Sequence, residues 1–370
     1  MSSYKIAILE GDGIGPEITA EAIKVLELVG SRNNLSLELT PAAFGAQAYF
    51  DHGHPFPDET IAVCDSADAI LKGPIGLSHE ASQKIPVDLQ PERGALLPMR
   101  ARYNTYANIR PVSLPKGLAH FSPLKPEIVG DGIDIVMFRE LVGGLYFGKK
   151  ETGTNEAGLR YVKETLEYDE QQIKQILHES FKLASRRKKL LHNIHKSNVL
   201  KSSVLWNEVL DDVAPEYPDV KVVHMLVDAA ATHLCLNPTQ FDVMVMENMF
   251  GDILSDQAGG ILGSLGLMPS ACLGPEKAYY EPSHGSAPDI AGTGIANPYS
   301  MIGSVAMMLE YSFGMFEEST NVWNAMQDVF NDGFSTADLS KPGAGVNMIS
   351  TSDFGDKVVE KLAAMPVVAS

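Results

Sequence analysis

VMVMENMFGDILSDQAGG, residues 243–260, changes periodicity part-way along. Val243 to Met246 form a short apolar run that reads as a strand, and a helical pattern follows it. On that helix Asp252 and Asp256 fall four residues apart, so they share a face one turn from each other. Two carboxylates at this spacing repel by roughly 0.2–0.5 kcal/mol on an exposed helix. A cation between them reverses the sign, and oxygen-only ligands suit a hard ion such as Mg²⁺ or Mn²⁺. Asp252 is expected in the first turn, where the helix dipole favours negative charge. Ligand sites of α/β folds lie at the carboxyl ends of strands, which is where this pair would stand. A pair facing solvent has the same spacing, so the residues alone leave both readings open.

The same alternation repeats outward. Residues 4–9 read as a strand, 17–29 as a helix with Ile18, Ala22 and Leu26 on one face, and 67–71 as another strand. A helix over 169–186 carries the stripe Ile173, Ile176, Leu177 and Phe181. Strands at 190–194, 222–226 and 243–246 are each followed by a helical segment. This predicts an α/β fold with parallel pairing. Turn signals cluster at 73–74, 110–115, 143–144, 284–294 and around 342–343. None is a long linker, and there is no internal repeat. The 370 residues suit two domains, with the chain passing between them more than once.

Composition narrows the function classes. A hydrophobic fraction of 45% supports a full core without disulfides or a structural metal. The cysteines, Cys64, Cys235 and Cys272, are odd in number and form no CxxC pair, so reduced thiols in a cytoplasm are expected. A formal charge of −18 repels phosphate backbones and argues against a nucleic-acid partner. The one basic block, 186–189, reads as a solvated helix end. No run approaches ~20 apolar residues, so no membrane span is expected. The opening MSSYKIAIL lacks the pattern of a signal peptide.

Further side chains have the chemistry of a site. Asp228 ends the run KVVHMLVD and opens the next helix; it is an N-cap or a third metal carboxylate. Lys196 follows the strand at 190–194. It is a solvated charge, or a base if burial near other positive charge lowers its pKa. Arg100, Arg110 and Arg139 stand near turns in apolar surroundings. They are ion-pair residues or, through two parallel hydrogen bonds each, ligands of a dicarboxylate. Tyr146 is a core aromatic or a proton donor. The segment EGDGIGPE does not match G-x-G-x-x-G and is a weak dinucleotide signal. The long small-residue loop 284–298 lets backbone approach a cofactor closely. Asp289 within it could accept hydrogen bonds from an adenosine ribose and repel a 2′-phosphate.

Taken in order, GDGIGPE, PERGALLPMR, YANIRP, RELVGGLYFG, HKSNVL, MFGDILSD and HGSAPDIAGTGIANP resemble the β-decarboxylating dehydrogenase family, the isocitrate/isopropylmalate dehydrogenases, essentially end to end. The resemblance implies an α/β, two-domain, non-Rossmann fold with mixed parallel and antiparallel sheets. Residues 1–105 and 263–370 would form the first domain, on the cofactor side, and 106–262 the second, with dimerisation, metal and catalysis. It implies NAD-dependent oxidative decarboxylation of a 3-substituted malate, namely (2R,3S)-3-isopropylmalate in leucine biosynthesis; another 3-substituted malate, tartrate or malate is the alternative. Arg100, Arg110 and Arg139 would bind carboxylates, with Leu96 and Leu97 against the alkyl group. Asp252 and Asp256, with Asp228 from the other subunit of a homodimer, would hold Mg²⁺ or Mn²⁺. Lys196, also from the other subunit, and Asp228 would help remove the hydroxyl proton, and Tyr146 would protonate C3. Ile14, the 73–76 loop, Asn198, His284, Gly285, Ser286, Ala287, Asp289, Ile290 and Asn297 would meet the cofactor, with Asp289 favouring NAD over NADP.

The chain departs from the usual pattern at five places: Val142, His195, Ala229, Gln257 and the loop GPIGLSHEAS at 73–82. None removes a named catalytic group. All lie near the expected site and bear on the choice of substrate.

Overall fold

A computed structural model describes residues 3–340 and 347–367, and the chain divides into two compact units. One holds the residues up to Tyr103 and those from Leu262 onward. Its sheet runs, in spatial order, Ser36–Pro41, Ser3–Leu9, Ala69–Lys72, Ala278–Pro282, Pro269–Leu273. The first three junctions are parallel and the last is antiparallel. Segments far apart in the chain therefore share one sheet. Helix Tyr299–Tyr311 is apolar on every side and buried along nearly its whole length, as a helix enclosed by other elements must be. It lies against the strands Pro269–Leu273 and Ala278–Pro282 and the helices Gly15–Arg32 and Phe316–Asn331. Gly303 permits the contact: a Cβ there would come 2.9 Å from Trp323 and 3.0 Å from Pro269.

The other unit is Asn104–Ile261. Its strands run Ala107–Pro115, Gly132–Glu140, Val243–Met246, Leu190–His195, Lys221–Leu226. The first pair is antiparallel and the rest are parallel. Helix Glu170–Arg186 starts at a capping box formed by Asp169 and Gln172 and buries Ile173, Ile176, Leu177 and Phe181. Phe181 stacks on Tyr217 with ring centroids 4.9 Å apart. A separate hairpin, Lys150–Thr154 with Arg160–Glu164, stands apart from this sheet.

The strands and helices expected from periodicity are present within a few residues at each end. One expected turn is not a turn: 110–115 belongs to the strand Ala107–Pro115. The register explains why its prolines are tolerated. Pro111 pairs with Val136, whose own N–H is bonded to the Asp242 carbonyl on the opposite side. The Pro111–Val136 pair is thus of the type that exchanges no hydrogen bonds, and the missing N–H costs this ladder nothing. Pro115, four residues on, falls in the same class. The turn signal at 342–343 lies outside the described residues. No helix among the described residues is long and apolar enough to cross a membrane.

Phe181→Ala should destabilise the protein by about 3–5 kcal/mol, because it empties a fully enclosed site. Urea unfolding measures this; a midpoint equal to wild type would contradict the packing described.

Candidate active site

The polar centre of the Asn104–Ile261 unit is built on two buried arginines. Arg139 is near the end of the strand Gly132–Glu140 and is 2% exposed. Its Nε and Nη2 donate to Asn248 Oδ1 at 3.1 and 2.8 Å, and its Nη1 donates to Asp252. Arg110, on the neighbouring strand, donates from Nε to Asn108 Oδ1 at 2.7 Å and from Nη1 to Ser255 Oγ at 2.7 Å. Asp256 Oδ1 lies 3.4 Å from Nη1. The helix Asn248–Leu262 brings Asn248, Asp252, Ser255 and Asp256 over this pair. Gly251 lets it come so close: a Cβ there would lie 2.5 Å from Arg139 Cβ and Cγ.

The helix begins a turn earlier than expected, so Asp252 is its fifth residue, not part of its first turn. The cause is Glu247, whose carboxylate accepts from the backbone N–H groups of Met249 and Phe250 at 3.1 and 3.0 Å. Asp252 and Asp256 are about half exposed, as groups open to a ligand must be. Burial pushes the Asp256 carboxyl up, with Arg110 pulling the other way and Asp252 adding repulsion. A hard cation would relieve that repulsion, and the oxygen-only donor set fits one. Among the described residues of a single chain, no three such groups converge to hold a metal ion.

Tyr146 donates to Asp252 Oδ2 at 2.6 Å, and the Arg139 guanidinium lies 5.7 Å from its ring centre. Burial and the bond to Asp252 push its hydroxyl up to about 12, so it keeps its proton through neutral pH. The loop carrying it is held by Glu140, which accepts from the N–H groups of Val142 and Gly143 at 2.8 and 2.9 Å. Gly143 and Gly144 leave room for the ring of Tyr168, which a Cβ at either would strike at 2.5 Å.

Lys196 Nζ is 2.9 Å from Asp228 Oδ1. The Lys196 bond holds the Asp228 carboxyl below the usual range. Asp228 is inside the first turn of the helix Val227–Leu236, and Leu226 takes the cap position instead. His195, before the lysine, is buried, which lowers its pKa, and its ring lies 5.9 Å from that of His224. Asn198 is exposed in the turn that follows.

The other unit contains a cavity of about 490 Å³. Ile14, His284, Gly285, Ala287, Ile290 and Asn297 line it, as do Ser264 and Asp338, which sequence reasoning missed. His284 Nδ1 faces the Gly285 carbonyl and so carries the hydrogen, while Nε2 accepts from Ser300 Oγ, each at 2.8 Å. Burial lowers its pKa and keeps the ring neutral. Asn297 donates to Asp338 Oδ2 at 3.1 Å, and Asp338 also accepts from Ser264. Ser286 is buried as a brace, donating to the Gly76 carbonyl at 2.7 Å, whereas Asp289 is exposed. GDGIGPE braces the same loop: the Ile14 N–H donates to the Ser286 carbonyl, and Glu17 accepts from Gly292 and Gly294. Asp12 accepts from Ala46, Gln47 and Gly76. Arg100 is buried here, with Nε 3.1 Å from Tyr279 Oη and Nη2 3.8 Å from Glu281. Leu96 and Leu97 are half-buried where a wide turn, Glu92–Leu96, passes into the helix Leu97–Tyr103.

The family model described as isocitrate/isopropylmalate dehydrogenase matches residues 5–358. The chain belongs to that family. It is 45% identical to the 3-isopropylmalate dehydrogenase of Thermotoga maritima, over 97% of this chain and 99% of the relative. Against the enzymes of the same name from Methylococcus capsulatus and Pseudomonas fluorescens it is 47% and 48% identical. These matches cover 98% and 97% of this chain, and 100% and 99% of the relatives. A crystal structure of isocitrate dehydrogenase from Methylococcus capsulatus superposes with a TM-score of 0.84 at 32% identity, covering 97% of this chain and 99% of that one. The TT0538 protein from Thermus thermophilus gives 0.82 at 33% identity, covering 98% of this chain and 68% of that one. As a member of the isocitrate/isopropylmalate dehydrogenase family, the protein is an oxidative decarboxylating dehydrogenase that uses NAD and a divalent metal, Mg²⁺ or Mn²⁺.

Glu140 gives a pH test of this centre. Burial raises its carboxyl from an ordinary 4.5 to about 7, against the pull of its two N–H donors. Between these values the unfolded chain ionises while the folded chain keeps the proton, so stability falls as pH rises. Glu140→Gln should flatten that fall in urea unfolding run from about pH 4 to about pH 8. Parallel wild-type and variant curves would contradict it.

Proposed function

We propose that the protein oxidises (2R,3S)-3-isopropylmalate at C2 and removes its C3 carboxylate as CO₂, giving 2-oxo-4-methylpentanoate for leucine biosynthesis in the cytoplasm. The observation that carries this reading is the Arg110–Arg139–Asp252–Asp256–Tyr146 cluster, in a chain so similar along its whole length to enzymes of that name. Arg110 and Arg139 bind the substrate carboxylates, with Arg100 as the third arginine. Leu96 and Leu97 supply an apolar surface to the isopropyl group and no donor for a further carboxylate.

Asp252, Asp256 and Asp228 of a second copy hold the divalent ion, which supplies Lewis-acid polarisation of the substrate oxygens. The second copy is argued from Asp228, which pairs with Lys196 in its own chain instead of completing a three-carboxylate group. The hairpin supports it too: Leu159, Tyr161 and Val162 are exposed there, and a lone hairpin is marginal in water.

Lys196 of the second copy, together with that copy's Asp228, helps remove the hydroxyl proton as the hydride leaves C2 for NAD. Breaking the bond from C3 to its carboxylate leaves an electron pair at C3, and the Tyr146 hydroxyl supplies the proton there. His284, Gly285, Ser286, Ala287, Ile290 and Asn297 cradle the adenosine end, with Ile14 and Asn198 as further cofactor contacts. Asp289 repels a 2′-phosphate and selects NAD.

The test is NADH formation with Mg²⁺ and 3-isopropylmalate, 3-benzylmalate, isocitrate, tartrate and malate. Preference for 3-isopropylmalate is the expected result. Preference for another malate would keep the chemistry and move specificity to Leu96, Leu97 and the loop at 73–82, where the chain departs from the usual pattern; no NADH from any would refute the reading.

A further inference from the structure

Asn248 is fully buried and joins two parts of the cluster. Its Oδ1 accepts from both Nε and Nη2 of Arg139, and its Nδ2 donates to the Gly143 carbonyl at 3.0 Å. The amide has only one workable orientation, because a guanidinium only donates and a carbonyl only accepts. Its backbone N–H donates to the Tyr168 hydroxyl at 3.0 Å, and that hydroxyl donates to Glu247 at 3.3 Å. The side chain therefore ties Arg139 to the loop that continues from Gly143 to Tyr146, three residues on.

We propose that Asn248 is a positioning residue that sets Arg139 for substrate binding with its oxygen and Tyr146 for proton delivery with its nitrogen. This rests on the roles given to Arg139 and Tyr146 in the proposed function. The amide is suited to both tasks because it is donor and acceptor at once. A carboxylate of the same shape could accept from Arg139 but would face the Gly143 carbonyl with a second acceptor and push the loop away.

Asn248→Asp separates the two tasks. Its Kd for the substrate should stay near wild type, while kcat falls by about 10–100-fold, the scale of an ångström misplacement. Asn248→Ser, too short for either partner, should lose both kcat and Kd by about 10-fold or more while keeping its far-UV circular dichroism, and it decides the matter if the Asp variant does not fold. Equal losses of kcat and affinity in the Asp variant, or wild-type values in either folded variant, would overturn the two-sided role. A crystal structure of the Asp variant separates this from failure of the functional reading. With Arg139 in place and Tyr146 out of hydrogen-bond reach of Asp252, the positioning role stands even if no malate is turned over. With the loop unmoved, it falls.

Discussion

A buried guanidinium organises the Asn104–Ile261 unit. Arg139 cannot lose its charge and is almost wholly out of water, so it must be paired. Asn248 and Asp252 meet that demand from the helix Asn248–Leu262, and the helix can approach only because residue 251 has no side chain. Removing a partner of a buried charge costs about 3–5 kcal/mol, far more than a surface pair is worth. The same constraint fixes the helix register, and with it the outward carboxylates of Asp252 and Asp256 and the hydroxyl of Tyr146.

The cavity of the other unit follows a different logic. Its wall is an irregular loop held by hydrogen bonds between side chains and backbone groups. Ser286 and Glu17 supply these, and Gly13 allows the two segments to touch: a Cβ on Gly13 would lie 2.0 Å from the Ser286 carbonyl oxygen. The glycine-rich stretch near the start of the chain thus serves the cavity as a brace for the loop, which agrees with its failure to match a dinucleotide-binding fingerprint.

Much of this was legible in the sequence because it depends on local period. The stripe from Ile173 to Phe181, the strand at 243–246 and the shared face of Asp252 and Asp256 all follow from spacing along one element. What was not legible depends on partners distant in the chain. Nothing near Asp338 in the sequence signals that it meets Asn297. Glu247 reads as one more acidic residue, yet its cap on two N–H groups starts the helix early and moves Asp252 out of the first turn. Pro111 looked like a turn residue because its neutrality in the strand depends on which side Val136 turns its N–H. The roles of the site residues follow from the resemblance; their spacing is equally that of surface charges or core aromatics.

In the proposed function a second copy completes the site, with Lys196 of one chain serving Asp252 of the other. Mixing Lys196→Met chains with Asp252→Asn chains, each inactive alone, tests it most directly. After subunit exchange half the dimers are mixed, and each mixed dimer holds one site with both residues intact. A shared site should recover on the order of a quarter of wild-type turnover. No recovery in mixtures shown to contain mixed dimers would contradict it and place Lys196 and Asp252 in the same chain's site.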